Sequence, residues 1–298
     1  MHASQPAVPV FDRTDEDVGN IVEFGHVNVQ VPEQRLATLF YVSGLGLTRD
    51  PFLMTGLDNM WINVGTSQFH LPTGPAQVLT GVVGLVLPDL AALLARLERV
   101  RPGLAGSAFD FTAAADAVTV TSPWGNRLCC HAPGARFGTM ALGMPYLELP
   151  APLGAARAIG RFYTEVLGAR ASTGTDAVGG FARIGAGIGT ELLFRETEAP
   201  PPPYDGHHIQ IALADFSGPH RRLMARGLVS EESSQHQYRF QDVIDLDSGA
   251  LLVRLEHEVR SMRHPLYARP LVNRDPAQTN LRYAPGHETL AAARPVSP

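Results

Sequence analysis

Two histidines are the residues of this chain best placed to do chemistry. His26 lies in the run GHVNVQV and His70 in the run TSQFHL. In the first, His26, Asn28 and Gln30 alternate with Val27, Val29 and Val31; in the second, Gln68 and His70 alternate with Phe69 and Leu71. A strand sends alternate residues to opposite faces, so both histidines fall on polar faces and can look into one enclosed space. Two imidazoles suit a divalent ion such as Zn²⁺, Fe²⁺, Mn²⁺ or Ni²⁺, but a useful site needs a third protein ligand and an open position. Cys129 and His131, which share a face by parity in the run RLCCH, are the candidates for that third ligand. Without a metal, the same imidazoles are hydrogen-bonding groups in a polar cavity.

Further polar faces follow the same rule. His208 and Gln210 alternate with Ile209 and Ile211, and Tyr146 and Glu148 with Leu147 and Leu149. Together with Asn28, Gln30 and Gln68, the residues Tyr146, His208 and Gln210 are candidates for contacting a small-molecule ligand. Glu148 is the candidate general base, although a solvated carboxylate at a cavity rim has the same sequence appearance. The tract CCH lacks zinc-finger spacing. Neighbouring cysteines make a strained bridge, so Cys129 and Cys130 exclude a disulfide framework and fit a reducing compartment, the cytoplasm.

The elements that must carry these residues repeat. A first unit runs from the His26 strand through an amphipathic helix, FYVSGLGL at its end, to two strands closing at Pro72–Pro75. A second begins at Gly81, with a helix over 88–100 and strands near 107–111, 117–121 and 127–131. The third, from Met144, carries FYTEVLGA, which begins 122 residues after its counterpart in the first, and the fourth opens with HHIQIALADF after four prolines at 200–203. Each unit has an apolar sheet face that only another unit can bury. The reading is an α+β fold of tandem βαβββ modules: a loose arm over 1–20, a first domain of two modules over 21–135, a second over 141–258, and a C-terminal arm over 259–298. That arm, with Arg260, Arg263 and Arg269, packs on the body or on a partner subunit, as in a homodimer.

The paired FYVSGLGL and FYTEVLGA segments, each following a short strand, and the late turn SPWGN resemble the vicinal oxygen chelate superfamily of glyoxalase I, bleomycin-resistance proteins and extradiol dioxygenases. The resemblance implies that paired modules close as an open eight-stranded, barrel-like sheet around a cavity, with metal ligands on the first and last strands of the modules. Those positions are His26, His70, Val82 and Cys129 in the first half and Met144, Leu193, His208 and Val253 in the second. Glu256 would serve as a carboxylate ligand only with a different register of the last strand, because a slip of one residue exchanges its faces.

Composition narrows the function classes. A net charge of −5 and a pI near 6.1, with 24 basic residues that are all arginine and no basic patch, argue against nucleic acid as a partner. No apolar run approaches the roughly 18 residues of a membrane span, and the N-terminus lacks the pattern of a signal peptide. The expectation is a metal-dependent enzyme acting on a small oxygenated molecule by isomerase, lyase or oxygenase chemistry. The alternative is a metal-free protein of the bleomycin-resistance type that sequesters a small molecule.

Overall fold

Two aromatic neighbours in each repeated motif, Phe40–Tyr41 and Phe162–Tyr163, are all buried. An ordinary α-helix turns consecutive residues about 100° apart. Here the helix widens: Gln34–Ala37 (α1) continues as a π-helical turn over Thr38–Gly44, and Ala156–Phe162 (α3) as one over Tyr163–Leu167. The Leu45 N–H reaches back five residues to the Phe40 carbonyl at 2.9 Å. The widened turn lets both rings of the pair pack inward, so the repeated motif reflects helix geometry shared by the first and third units.

The computed structural model describes residues 11–276 except 54, 55 and 57; part of each terminal arm lies outside the described residues. The first unit comprises β1 (Ile21–Asn28), α1, β2 (Thr48–Arg49), β3 (Asn59–Val64) and β4 (Ser67–Pro72). The second has β5 (Val82–Val86), α2 (Leu90–Val100), β6 (Asp110–Ala113), β7 (Ala117–Thr121) and β8 (Arg127–His131). The third has β9 (Tyr146–Pro152), α3, β10 (Ala171–Asp176), β11 (Gly179–Gly185) and β12 (Glu191–Thr197). The fourth has β13 (His208–Leu213), α4 (Ser217–Met224), β14 (Val229–Ser234), β15 (Gln237–Ile244) and β16 (Leu251–Ser261). None of the described helices is long and apolar enough to cross a membrane.

The strands form two eight-stranded sheets, in the orders β14-β15-β16-β13-β1-β4-β3-β2 and β10-β11-β12-β9-β5-β8-β7-β6, neither closed into a barrel. The paired-module architecture is present, but the partners differ from the sequence reading. The first unit pairs with the fourth and the second with the third, through the antiparallel contacts β1–β13 and β5–β9. Residues 21–135 therefore do not share one sheet, nor do 141–258. The apolar faces bury a core that includes Val27, Val29, Phe69, Ile209, Ile211, Leu255 and Val259 on the first sheet, with Phe40 and Tyr41 from the helix beside it.

The C-terminal arm fastens the fourth unit to the first. After β16 it crosses to β2, β3 and β4, where Asn273 exchanges two hydrogen bonds with the Gly65 backbone at 2.9 and 3.0 Å. The Asn63 side chain donates to the Val272 carbonyl at 2.9 Å, and Arg269 pairs with the buried carboxylate of Asp50. Ala268, just before Arg269, is the one non-glycine among the described residues with positive φ, at 50°. Arg260 and Arg269 are thus committed to carboxylates of their own chain.

Candidate metal centre

Four neighbouring strands, β4, β1, β13 and β16, bring metal-ligating types of residue to the polar face of the first sheet: one histidine each from the first three and two glutamates from β16. The register sets Gln68, His26, Gln210 and Glu258 side by side in one row, flanked by Asn63 and Arg239. Two residues along, the next row reads Trp61, His70, Asn28, His208 and Glu256. A bulge between Phe24 and His26 lets Phe24 join the core while His26 faces the other way. A Cβ at Gly25, at this bulge, would lie 1.7 Å from the side-chain oxygen of Gln210, so a larger residue there would displace that side chain.

His70 and His208 are separated by two strand spacings, about 9.5 Å for a flat sheet. Yet one ring nitrogen from each of His26, His70 and His208 lies within 4.8 Å of the others, so the side chains converge over a concave face. Ring centroids are 5.5 Å apart for His26–His70 and 5.7 Å for His26–His208. His26 and His208 are buried, and the Nε2 atom of each has no hydrogen-bond partner. Burial pushes His26 well below the usual histidine range and His70 down to about 3, so both rings are neutral at physiological pH.

Glu258 completes the edge of this group, with Oε2 3.6 Å from His208 Nε2. Arg239 donates to Oε2 at 2.7 Å, and Arg260 Nη2 stands 2.7 Å from Oε1 in an ion pair too bent for a hydrogen bond. Burial alone would raise the carboxyl, but the His208 ring 3.6 Å away and the charges of Arg260 and Arg239 outweigh it and hold Glu258 well below the carboxylate range. At neutral pH the permanently charged arginines supply that effect. Glu258 is consequently an anion, suited to binding a cation or balancing charge.

Three converging imidazoles, two of them with orphaned buried nitrogens, beside a fixed carboxylate, fit a divalent metal. His26, His70 and His208 would hold it, with Glu258 alongside. Gln210 Nε2 and Asn28 Oδ1, also buried without partners, sit between these residues in the two rows.

The remaining sequence candidates lie elsewhere. Cys129 and His131 are on β8 in the second sheet, so neither is the third member of the group; unit pairing brings in His208 instead. The Tyr146 ring lies over Gly84, where a Cβ would be 2.4 Å from it, and Tyr146 Oη is 2.9 Å from His131 Nε2. Glu148 lies two residues along from Tyr146 on β9, in the second sheet and away from the histidines. Gln30 falls beyond β1, its backbone N–H bonded to the Gln77 side chain at 2.8 Å. Trp61 faces the histidines, Tyr41 and Trp124 pack with the core, and Phe52 is exposed. In the fourth unit the carboxylate at the centre is Glu258, not Glu256 or the position of Val253. Its signal was the alternation of Glu256, Glu258 and Arg260 with Leu255, His257 and Val259, which a strand ending at Glu258 truncates.

No family model matches the sequence, and no curated protein does. Among solved structures, a protein from Bacillus subtilis subsp. subtilis strain 168, provisionally described as a dioxygenase, is similar with a TM-score of 0.53 and 16% identity, covering 82% of this chain and 86% of its own. Glyoxalase I from Zea mays is similar with a TM-score of 0.52 and 10% identity over 80% of this chain and 92% of that one, and a variant of it reaches 0.55 at 11% over the same shares. The chain therefore has the paired-module fold of the vicinal oxygen chelate proteins that its sequence resembles.

Proposed function

We propose that this chain is a metal-dependent enzyme acting on a small oxygenated molecule, by isomerase, lyase or oxygenase chemistry. The observation that carries the reading is the convergence of His26, His70 and His208, with the buried Nε2 atoms of His26 and His208 unpartnered, beside ionised Glu258. A bound divalent ion would act as a Lewis acid toward a substrate oxygen. The chain's own residues supply the rest. Gln210 Nε2 is a donor and Asn28 Oδ1 an acceptor for orienting a polar ligand. Arg239 and Arg260 keep Glu258 ionised and in place, so it is a poor proton acceptor near neutral pH. Trp61 walls one side.

The test is metal analysis of protein purified without chelator, with titration of Zn²⁺, Fe²⁺, Mn²⁺ and Ni²⁺ into the metal-free form. About one ion per chain, lost in His26→Ala and His208→Ala, supports the reading. A wild type that neither carries nor takes up metal sinks it and leaves sequestration of a small molecule as the better account.

A further inference from the structure

His70 differs from its two partners in which nitrogen is free. Its Nε2 lies 2.7 Å from Asn59 Oδ1, whereas His26 and His208 leave Nε2 unpartnered. A side-chain amide oxygen only accepts, so the His70 proton resides on Nε2 and the lone pair on Nδ1. Asn59 lies on β3, one residue before Met60 and two before Trp61, and Trp61 pairs with His70 across the sheet. The indole stacks on the His70 ring with centroids 3.8 Å apart and planes 12° apart, which obstructs the ring from swinging over to exchange its nitrogens.

We propose that Asn59 is a positioning residue that makes His70 a ligand through Nδ1, while His26 and His208 act through Nε2. This rests on reading the site as a metal centre. Hydrogen bonding of the far nitrogen fixes both the tautomer and the orientation of a ligating imidazole, and losing such a partner typically costs about ten- to a hundredfold in metal affinity.

The experiment is long-range ¹H–¹⁵N correlation NMR on the full chain labelled with ¹⁵N-histidine, with the His70 signals identified by their loss in His70→Gln. In the metal-free protein the expected result is the Nε2–H tautomer for His70; the Nδ1–H tautomer overturns the proposal. With Zn²⁺ added, the expected result is a metallated Nδ1 on His70 and a metallated Nε2 on His26 and His208. Zinc bound through His70 Nε2 overturns this inference alone, and a wild type that binds no zinc overturns the metal reading with it. Asn59→Leu should weaken zinc binding about ten- to a hundredfold, and Asn59→Asp, which keeps the acceptor, should restore it. Unchanged affinity and unchanged His70 tautomer in Asn59→Leu count against the proposal.

Discussion

Trp61 lies flat on His70, with its ring 3.8 Å away centre to centre, and meets His26 edge-on at 5.1 Å. The indole is therefore in contact with two of the three converging imidazoles. The chain has one other tryptophan, Trp124, so Trp124→Phe leaves a single emitter at the site. Adding Zn²⁺ to that variant should change Trp61 emission in proportion to occupancy, and His208→Ala in the same background should abolish the change. A response unaltered by His208→Ala would place the ion elsewhere.

The exchange of units makes a second, sharper prediction about ligand identity. His208→Ala should lower metal affinity by more than the roughly hundredfold that a supporting residue contributes. Cys129→Ser and His131→Ala, on the other sheet, should leave it unchanged. Calorimetric titration of the three variants distinguishes them, and a large loss in Cys129→Ser would contradict the arrangement.

Glu258 is buried between two guanidinium groups, and removing one partner of such a pair leaves a charge that water cannot reach. Glu258→Leu should destabilise the fold by about 3–5 kcal/mol, because it strands the buried Arg260 guanidinium. Adding Arg260→Leu in the same chain should recover much of that loss, because both charges then disappear together while Arg239 keeps Glu256 and Glu231 as partners. Urea unfolding of the single and double variants of the metal-free protein measures the difference; equal midpoints for the two would refute the coupling.

Acid should unfold the metal-free protein in a window set by its buried histidines. Burial pushes both His70 and His257 down to about 3 in the folded chain, against an ordinary value of 6.5. The unfolded chain then binds more protons than the folded one between those limits. The stability associated with neutral rings is fully present above about pH 6.5 and drains away as the pH falls toward 3. Glu258, also held low, adds a loss of the same sign below its ordinary value of 4.5. Urea midpoints measured from pH 7 to pH 4 should fall, and His70→Asn should flatten the slope.

The alternation of single strands was legible in the sequence, which is why β7 and β8 fall at 117–121 and 127–131 and why His26, Asn28, Gln68, His70, His208 and Gln210 face one side. Alternation assigns a side chain to a face but does not say which strand lies next to it. The pairing of β1 with β13 depends on which apolar surfaces fit in three dimensions, and it decides that His208, not Cys129, joins His26 and His70. Glu258 was hidden for another reason. His257, a polar residue, occupies the core side of β16, stacked on Phe240 with its Nε2 2.7 Å from Tyr163 Oη, so a polar residue on the apolar face masks the alternation of LEHEV.

The joining of the first unit to the fourth has a consequence for how the chain is made. During synthesis, β1 emerges about 180 residues before β13 and must wait with one edge unpaired. The second and third units are consecutive and can close their own sheet in the meantime. The three imidazoles meet only once β13 has emerged, and the arm that fastens the fourth unit to the first follows it. A chain cut short after residue 135 would expose two open edges, β1 and β5, each lacking the strand that normally covers it. Such a fragment would be a template for self-association rather than half of the site.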